Sequence, residues 1–293
     1  MLQQNIRGIY CMILASFFLS LLSNITSVIA GRIPATQLLF ISGVIGLLLT
    51  TFYNVYHRIT FSTKTIIYYV IRSLMACVTF ILWFKVLSLI PVTDAIAISY
   101  ITPLLNMVAA VIFLKEKMTG VRASLSIAGF LGAMLIIKPM IKDLNYGYLL
   151  AILVATLWML NDILAKWQTI HDKPETHLFY LNLFITIFTL PLALLEWSDL
   201  SLYGTLDIKL LFALGVVQWL NGLTFLKSYY YANLVVVTPF DFSRLIFTSI
   251  FAYYVSGEVV DLTSFIGACI IAFSVSTLAY IEARQSSSVR GTK

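Results

Sequence analysis

Residues 85–116 read KVLSLIPVTDAIAISYITPLLNMVAAVIFLKE, and residues 227–258 read KSYYYANLVVVTPFDFSRLIFTSIFAYYVSGE. Each stretch opens on a lysine, closes on a glutamate and carries a Thr-Pro step inside an apolar run. These are Lys85, Thr102-Pro103 and Glu116 in the first, and Lys227, Thr238-Pro239 and Glu258 in the second. About 20 apolar residues suffice for a helix to cross a bilayer, so each stretch holds one spanning segment and the end of another. The repeated punctuation marks two copies of one unit.

The rest of the chain continues this pattern. Of 293 residues, 60% are apolar and 11% charged, against about 25% charged in soluble domains, and the mean hydropathy is +0.94. Apolar runs fall near 8–29, 36–56, 65–88, 92–114, 122–138, 146–165, 177–195, 208–230, 233–255 and 261–281. Ten spans leave no room for a soluble domain. The runs are too long and unbroken for barrel strands, and a backbone in lipid must satisfy its own hydrogen bonds. The expected fold is therefore an all-α membrane protein of ten transmembrane helices. The polar stretch from Lys138 to Tyr146 is the midpoint, giving five-helix repeats at 1–143 and 144–293. Because five is odd, the second repeat enters the membrane inverted, an arrangement that places a substrate site near the midplane and permits alternating access.

A net charge of +6 would suggest a nucleic-acid partner in a soluble protein, but here charge reports orientation and no nucleic acid is expected. Twelve Lys and Arg residues collect on the side of the termini, against Arg32, Lys138, Lys142 and Lys209 on the other. Both termini are thus expected in the cytoplasm of a cell whose inner membrane holds the protein. The first span lacks a convincing small-residue cleavage site and reads as retained.

The run from Arg72 through LMACVTFILWFKVLSLIPVTDAIAISYITPLLNMVAAVIFLKE to Lys138-Pro139, and TPFDFSRLIFTSIFAYYVSGEVVDLTSFIGA from Thr238 to Ala268, resemble the two repeats of EamA-type drug/metabolite transporters. The resemblance covers nearly the whole chain. It implies the same ten-helix inverted fold. First spans in that family often carry an acidic residue followed four positions later by a basic one; span six keeps this as Asp162 and Lys166, whereas span one has Asn24 and Val28. Span two has Ser42 where many members have an arginine. Within the family the chain is most similar to S-adenosylmethionine uptake transporters of obligate intracellular bacteria. This implies inward transport of that metabolite, with exchange for S-adenosylhomocysteine as one route. Export of amino acids or drug-like metabolites on the same fold stays open, as does a membrane scaffold or enzyme.

Charges within spans are costly and need a partner or a wet cavity. Arg244 falls at the centre of span nine with Asp241 three residues earlier on the same face. Either Arg244 takes a substrate carboxylate and Asp241 a cation or coupling proton, or the two neutralise each other and fix the helix. Pro239 favours the first reading, because proline removes a donor and bends a helix where it borders a cavity. Arg72 in span three is a site residue or a structurally paired one. Lys85 and Lys227 suit snorkelling at helix ends, yet their matching positions keep them as second-rank candidates. Asp94 caps a helix start or meets ligand, and Glu116 and Glu258 are interfacial ends or gates. Asp162 and Lys166 have the i, i+4 order that stabilises a helix, which suggests a structural role.

S-adenosylmethionine presents a carboxylate, an ammonium, a sulfonium and an adenine. Arg244, Asp241, Trp219 and Tyr100, with Phe240 nearby in sequence, could meet these groups. Asn106, Asn221 and Gln218 could serve as adenine hydrogen-bond partners. Trp83, Trp158 and Phe242 also share spans with the charges or with their repeat partners, where core packing competes with ligand stacking. His57, His171 and His177 fall in loops or at a span end with no metal-ligand cluster, and Cys11, Cys77 and Cys269 read as packing residues. Gly43 and Gly46, and Gly129 and Gly132, have a spacing that permits close helix approach. No Walker signature or nucleophile constellation occurs, so no cofactor, metal, catalytic residue or ATPase partner is expected. The expected partners are a small molecule and the bilayer.

Overall fold

The computed structural model describes residues 2–29, 32–139, 145–198, 203–256 and 261–288. Ten spans among these residues are long and apolar enough to cross a membrane, matching the ten expected. The first repeat contributes α1 (Leu2–Ile29), α2 (Ala35–Tyr56), α3 (Ile66–Leu87), α4 (Val92–Ser99), α5 (Thr102–Phe113) and α6 (Gly120–Ile137). The second contributes α7 (Tyr146–His171), α8 (Pro174–Leu195), α9 (Thr205–Tyr231), α10 (Leu234–Val237), a 3-10 turn over Thr238–Phe242, α11 (Ser243–Ser256) and α12 (Leu262–Ser288). Glu258 and Lys142 lie outside the described residues.

Local chemistry sets the helix ends. Thr119 Oγ1 accepts from the Arg122 N–H and Asn145 Oδ1 from the Gly147 N–H, the side-chain capping that starts α6 and α7. Pro174 opens α8 where no backbone donor is needed. Lys115 and Lys138 adopt left-handed backbone just past α5 and α6 and turn the chain.

The fourth and ninth spans are each broken. The fourth divides at Tyr100-Ile101 into α4 and α5, and the ninth divides at the 3-10 turn into α10 and α11. Thr102-Pro103 begins the second half of the fourth span and Thr238-Pro239 forms the start of the 3-10 turn. Proline fits both places because its missing N–H falls at a helix start.

Packing follows a two-fold pattern. The contact of α1 with α9 is repeated by α7 with α3, and that of α2 with α9 by α8 with α3; α2 meets α8 and α6 meets α12. The 142-residue step from Lys85 to Lys227, shared by Glu116 and Glu258, relates the halves, and by it Thr102-Pro103 falls on Arg244-Leu245, so the two Thr-Pro steps are not equivalent positions of the repeat. By that step Tyr100 corresponds to Phe242, and the two rings stack on one another with centroids 6.2 Å apart and planes 19° apart. The pseudo-two-fold axis therefore passes between the two broken spans.

Outward faces are apolar and meet lipid, as at Leu48, Phe52, Leu149 and Phe273. The close approaches rest on glycine. A methyl group added to Gly43 or Gly46 would press on Thr186 or Asn182 of α8, and one on Gly132 would reach the Gly267 carbonyl of α12 at 2.8 Å. Helix propensity alone favours alanine over glycine by about 1 kcal/mol. We expect Gly267→Ala to lower the thermal midpoint of the solubilised protein nonetheless, because its Cβ would lie 2.5 Å from the Gly132 carbonyl oxygen. Gly120→Ala meets nothing within 4 Å and should leave the midpoint level or raise it. Equal stabilisation by both would contradict the packing account.

Candidate substrate site

The broken spans face a cavity of about 990 Å³. At its mouth stand Lys138 and Asp261, an exposed ion pair joining the end of α6 to the start of α12. Lys138, with Ser264 and Thr263, holds the Asp261 carboxyl well below its ordinary range. Its stabilising effect is present above the ordinary aspartate range and is lost only as pH falls through the lowered value, so the pair persists where a free aspartate would titrate. Inward from the mouth the wall carries Ile96, Ile136, Ile137 and Leu245, with the hydroxyls of Thr93 and Ser249. Deeper lie Trp83, Trp158, Tyr100, Asp162, Asp241 and Arg244.

Arg244 and Asp241 enter this cavity from the junction of the 3-10 turn with α11. Neither takes part in an ion pair among the described residues. Arg244 donates Nε–H to Tyr100 Oη at 2.9 Å and lies over the Tyr100 ring, 4.6 Å from its centroid. That bond leaves the terminal edge of the guanidinium, the part able to grip a carboxylate with two parallel hydrogen bonds. Asp241 accepts from Ser16 Oγ at 3.5 Å, a long contact. The structure thus does not form the self-neutralising pair that the sequence left open. It keeps an anion and a cation apart on one cavity wall.

Of the other sequence candidates, few reach the cavity. Trp219 donates Nε1–H to Thr50 Oγ1 at 3.0 Å on the far side of α9, and Asn221 donates to the Ala15 carbonyl at 2.9 Å. Phe240 is fully buried in the apolar core. Neither Gln218 nor Phe240 lines the cavity. Asn106 is buried and donates Nδ2–H to Asp162 Oδ2 at 2.7 Å. Asp94 sits in the first turn of α4, as expected, and accepts from Tyr148 Oη at 2.7 Å, inside the contact of α4 with α7. Lys85 is exposed at the last turn of α3, and Lys227 pairs with Glu175 at 3.3 Å.

The sequence reading of Asp162 and Lys166 needs correction. Asp162 and Lys166 do not pair with each other: Asp162 lines the cavity, whereas Lys166 Nζ donates to the Tyr229 and Ala232 carbonyls at 2.5 and 2.7 Å. The helix runs on to His171, so Asp162 lies about two and a half turns inside it rather than at its end. His177, read at a span end, does lie in the first turn of α8, but it is fully buried there and its Nε2 meets Arg72 Nη1. Arg72 is itself buried and donates Nε–H to Asn161 Oδ1 at 2.7 Å.

The end of the bundle away from the mouth is tied shut. Glu116 accepts from the Leu234 and Val235 N–H groups at 3.1 and 2.9 Å, where α10 begins. Lys166 holds the carbonyls at the end of α9. An anion on free N–H groups and a cation on free carbonyls each match the local helix dipole. Arg122 grips Glu282 through Nε and Nη2 at 2.8 and 2.5 Å, joining α6 to α12. Asp172 accepts from Thr63, Thr65 and Tyr69 at 2.6, 2.8 and 2.8 Å.

The EamA-like transporter family model matches residues 6–138 and 145–280. A riboflavin transporter of Vibrio cholerae is 30% identical over 230 residues, 78% of this chain and 76% of that protein. An S-adenosylmethionine uptake transporter of Rickettsia prowazekii is 27% identical over 289 residues, 98% of this chain and 97% of that one. A solved crystal structure superposes with a TM-score of 0.79 over 97% of this chain and 98% of its own, at 15% identity, which supports the fold.

Removing the Glu116 carboxylate should open the tied end. In a Ser228→Cys background, a thiol buried in α9 should resist a membrane-impermeant maleimide, and adding Glu116→Ala should raise its labelling several-fold. Equal protection in both proteins would show that Glu116 does not hold this end closed.

Proposed function

Because the chain belongs to the EamA-like transporter family, and is a secondary transporter of the inner membrane, we propose that it imports S-adenosylmethionine by alternating access. The halves 1–143 and 144–293 are the two moving units. The charge bias of the loops assigns the tied end and both termini to the cytoplasm, so the cavity faces outward in this state. One observation carries the reading: Arg244 and Asp241 line a single cavity without pairing to each other. A cation and an anion held apart on a cavity wall within the membrane suit the carboxylate and ammonium of an amino-acid head group, with Tyr100 fixing the guanidinium in place. The apolar wall of Ile96, Ile136, Ile137 and Leu245 is suited to cover the nucleoside.

Transport then follows from the seals. Substrate bridging Arg244 and Asp241 would draw the second repeat's broken span towards the first, closing the mouth while the Glu116 and Lys166 contacts release at the other end. With no motif for ATP hydrolysis in the sequence, the gradient of substrate or of a counter-substrate such as S-adenosylhomocysteine drives the cycle. An uncharged flavin would leave the separated charges without partners, so the riboflavin relative supports this reading less well.

Uptake of labelled S-adenosylmethionine into proteoliposomes tests the proposal. Wild type should accumulate label, faster with S-adenosylhomocysteine inside, and excess riboflavin should not compete. Arg244→Ala and Asp241→Asn should each reduce uptake at least about tenfold, the loss of one charge-assisted contact, with Arg244→Lys intermediate. Competition by riboflavin alone, or undiminished uptake by inserted Arg244→Ala protein, would remove the substrate or the site respectively.

A further inference from the structure

The geometry points to a second charge-recognition element: Asp162, with the indoles of Trp83 and Trp158, forms a subsite for a fixed cation and makes the cavity prefer a sulfonium to its uncharged thioether. This rests on the cavity being the substrate site proposed above, and adds to it a residue that selects between two nearly identical ligands.

Trp158 and Asp162 are four residues apart on α7 and so share one helical face, and both line the cavity. Trp83 of α3 approaches Trp158 to 5.0 Å between ring centroids, with planes 54° apart. Two indoles and a carboxylate along one wall are the ingredients that recognise a cation which cannot itself donate a hydrogen bond.

The repeat supplies an independent argument. By the 142-residue step, Asp162 corresponds to Ser20 and Asn106 to Thr248. The second pair is bonded just as the first is, Thr248 Oγ1 to Ser20 Oγ at 3.1 Å against Asn106 Nδ2 to Asp162 Oδ2 at 2.7 Å. A neutral hydroxyl pair therefore suffices to pack these helices in one half. A carboxylate in the other half is costly within the bilayer and is not required by packing.

Asp162 lies within electrostatic reach of Arg72 but forms no ion pair among the described residues. Arg72 of α3 gives its hydrogen bonds to Asn161 and to His177 of α8. Lys166, on the same helix as Asp162, is held by backbone carbonyls. Tyr229 of α9 hydrogen-bonds to Asp162, and Asp241 of the 3-10 turn also faces it.

Binding of S-adenosylmethionine and S-adenosylhomocysteine to the purified full-length protein tests this, since the two differ only in the methyl group and its charge. Wild type should prefer the sulfonium by about tenfold or more. Asp162→Asn should bring the two affinities within about threefold, while thioether binding is retained. Asp162→Glu should restore the preference. The paired change Asp162→Ser with Asn106→Thr, which copies the hydroxyl pair of the other repeat, provides a second variant should Asp162→Asn fail to fold. An unchanged preference in these variants, or none in wild type, overturns the inference. If wild type binds neither nucleoside, the substrate assignment falls, and benzyltrimethylammonium becomes the probe. Indole quenching that depends on Asp162 would then support the cation subsite, and quenching that is absent or independent of Asp162 would overturn it.

Discussion

A backbone crossing lipid must pair its own N–H and C=O groups, and the whole arrangement depends on where this chain departs from that requirement. Two of its spans are interrupted, at Tyr100-Ile101 and over Thr238–Phe242. Interruptions are tolerated only where protein or a wet cavity surrounds them. Both breaks lie beside the pseudo-two-fold axis, marked by Tyr100 stacked on Phe242, with intact helices around them. The same enclosure that protects the broken backbone also shelters Arg244 and Asp241. Fold and site thus follow from one constraint.

The two ends of the bundle differ in how they are held. Away from the mouth, Glu116 and Lys166 engage the free N–H groups and carbonyls where α9 meets α10. At the mouth, an exposed Lys138 and Asp261 pair bridges α6 and α12. Exposed pairs hold weakly and buried, dipole-matched contacts hold more firmly. An inverted repeat lets one end open while the other is tied, which is what alternating access requires.

Much of the fold was legible in sequence because hydropathy and loop punctuation are one-dimensional signals. The ten spans and the inverted halves could be read from runs and spacing, and Pro239 signalled a bend in the ninth span, but the break of the fourth at Tyr100-Ile101 was not read. Arg244, Asp241 and Tyr100 were singled out too, as charges deep in one span and a ring on its repeat partner, and all three line the cavity. The remainder of the site depended on helix rotation and packing. Trp219 and Asn221 point to Thr50 and Ala15, and no spacing rule says which face of a wholly apolar span meets the cavity. Asp162 looked like half of a surface pair because the apolar run ends near residue 165, whereas its helix continues to His171. His177 was hidden for a similar reason: neighbouring helices bury it, although it sits near a helix end. The comparison of Asp162 with Ser20 across the repeat was available in the sequence, but its meaning required the two matching hydrogen bonds.

The central claim is that the cavity between the broken spans holds the substrate through Arg244 and Asp241. Its most direct test is a cryo-electron microscopy map of the protein in lipid nanodiscs with saturating S-adenosylmethionine. The account predicts ligand density in this cavity, with the carboxylate against Arg244 and the ammonium against Asp241. Density for the ligand elsewhere, with Arg244 and Asp241 closed on each other as an ion pair, would contradict it.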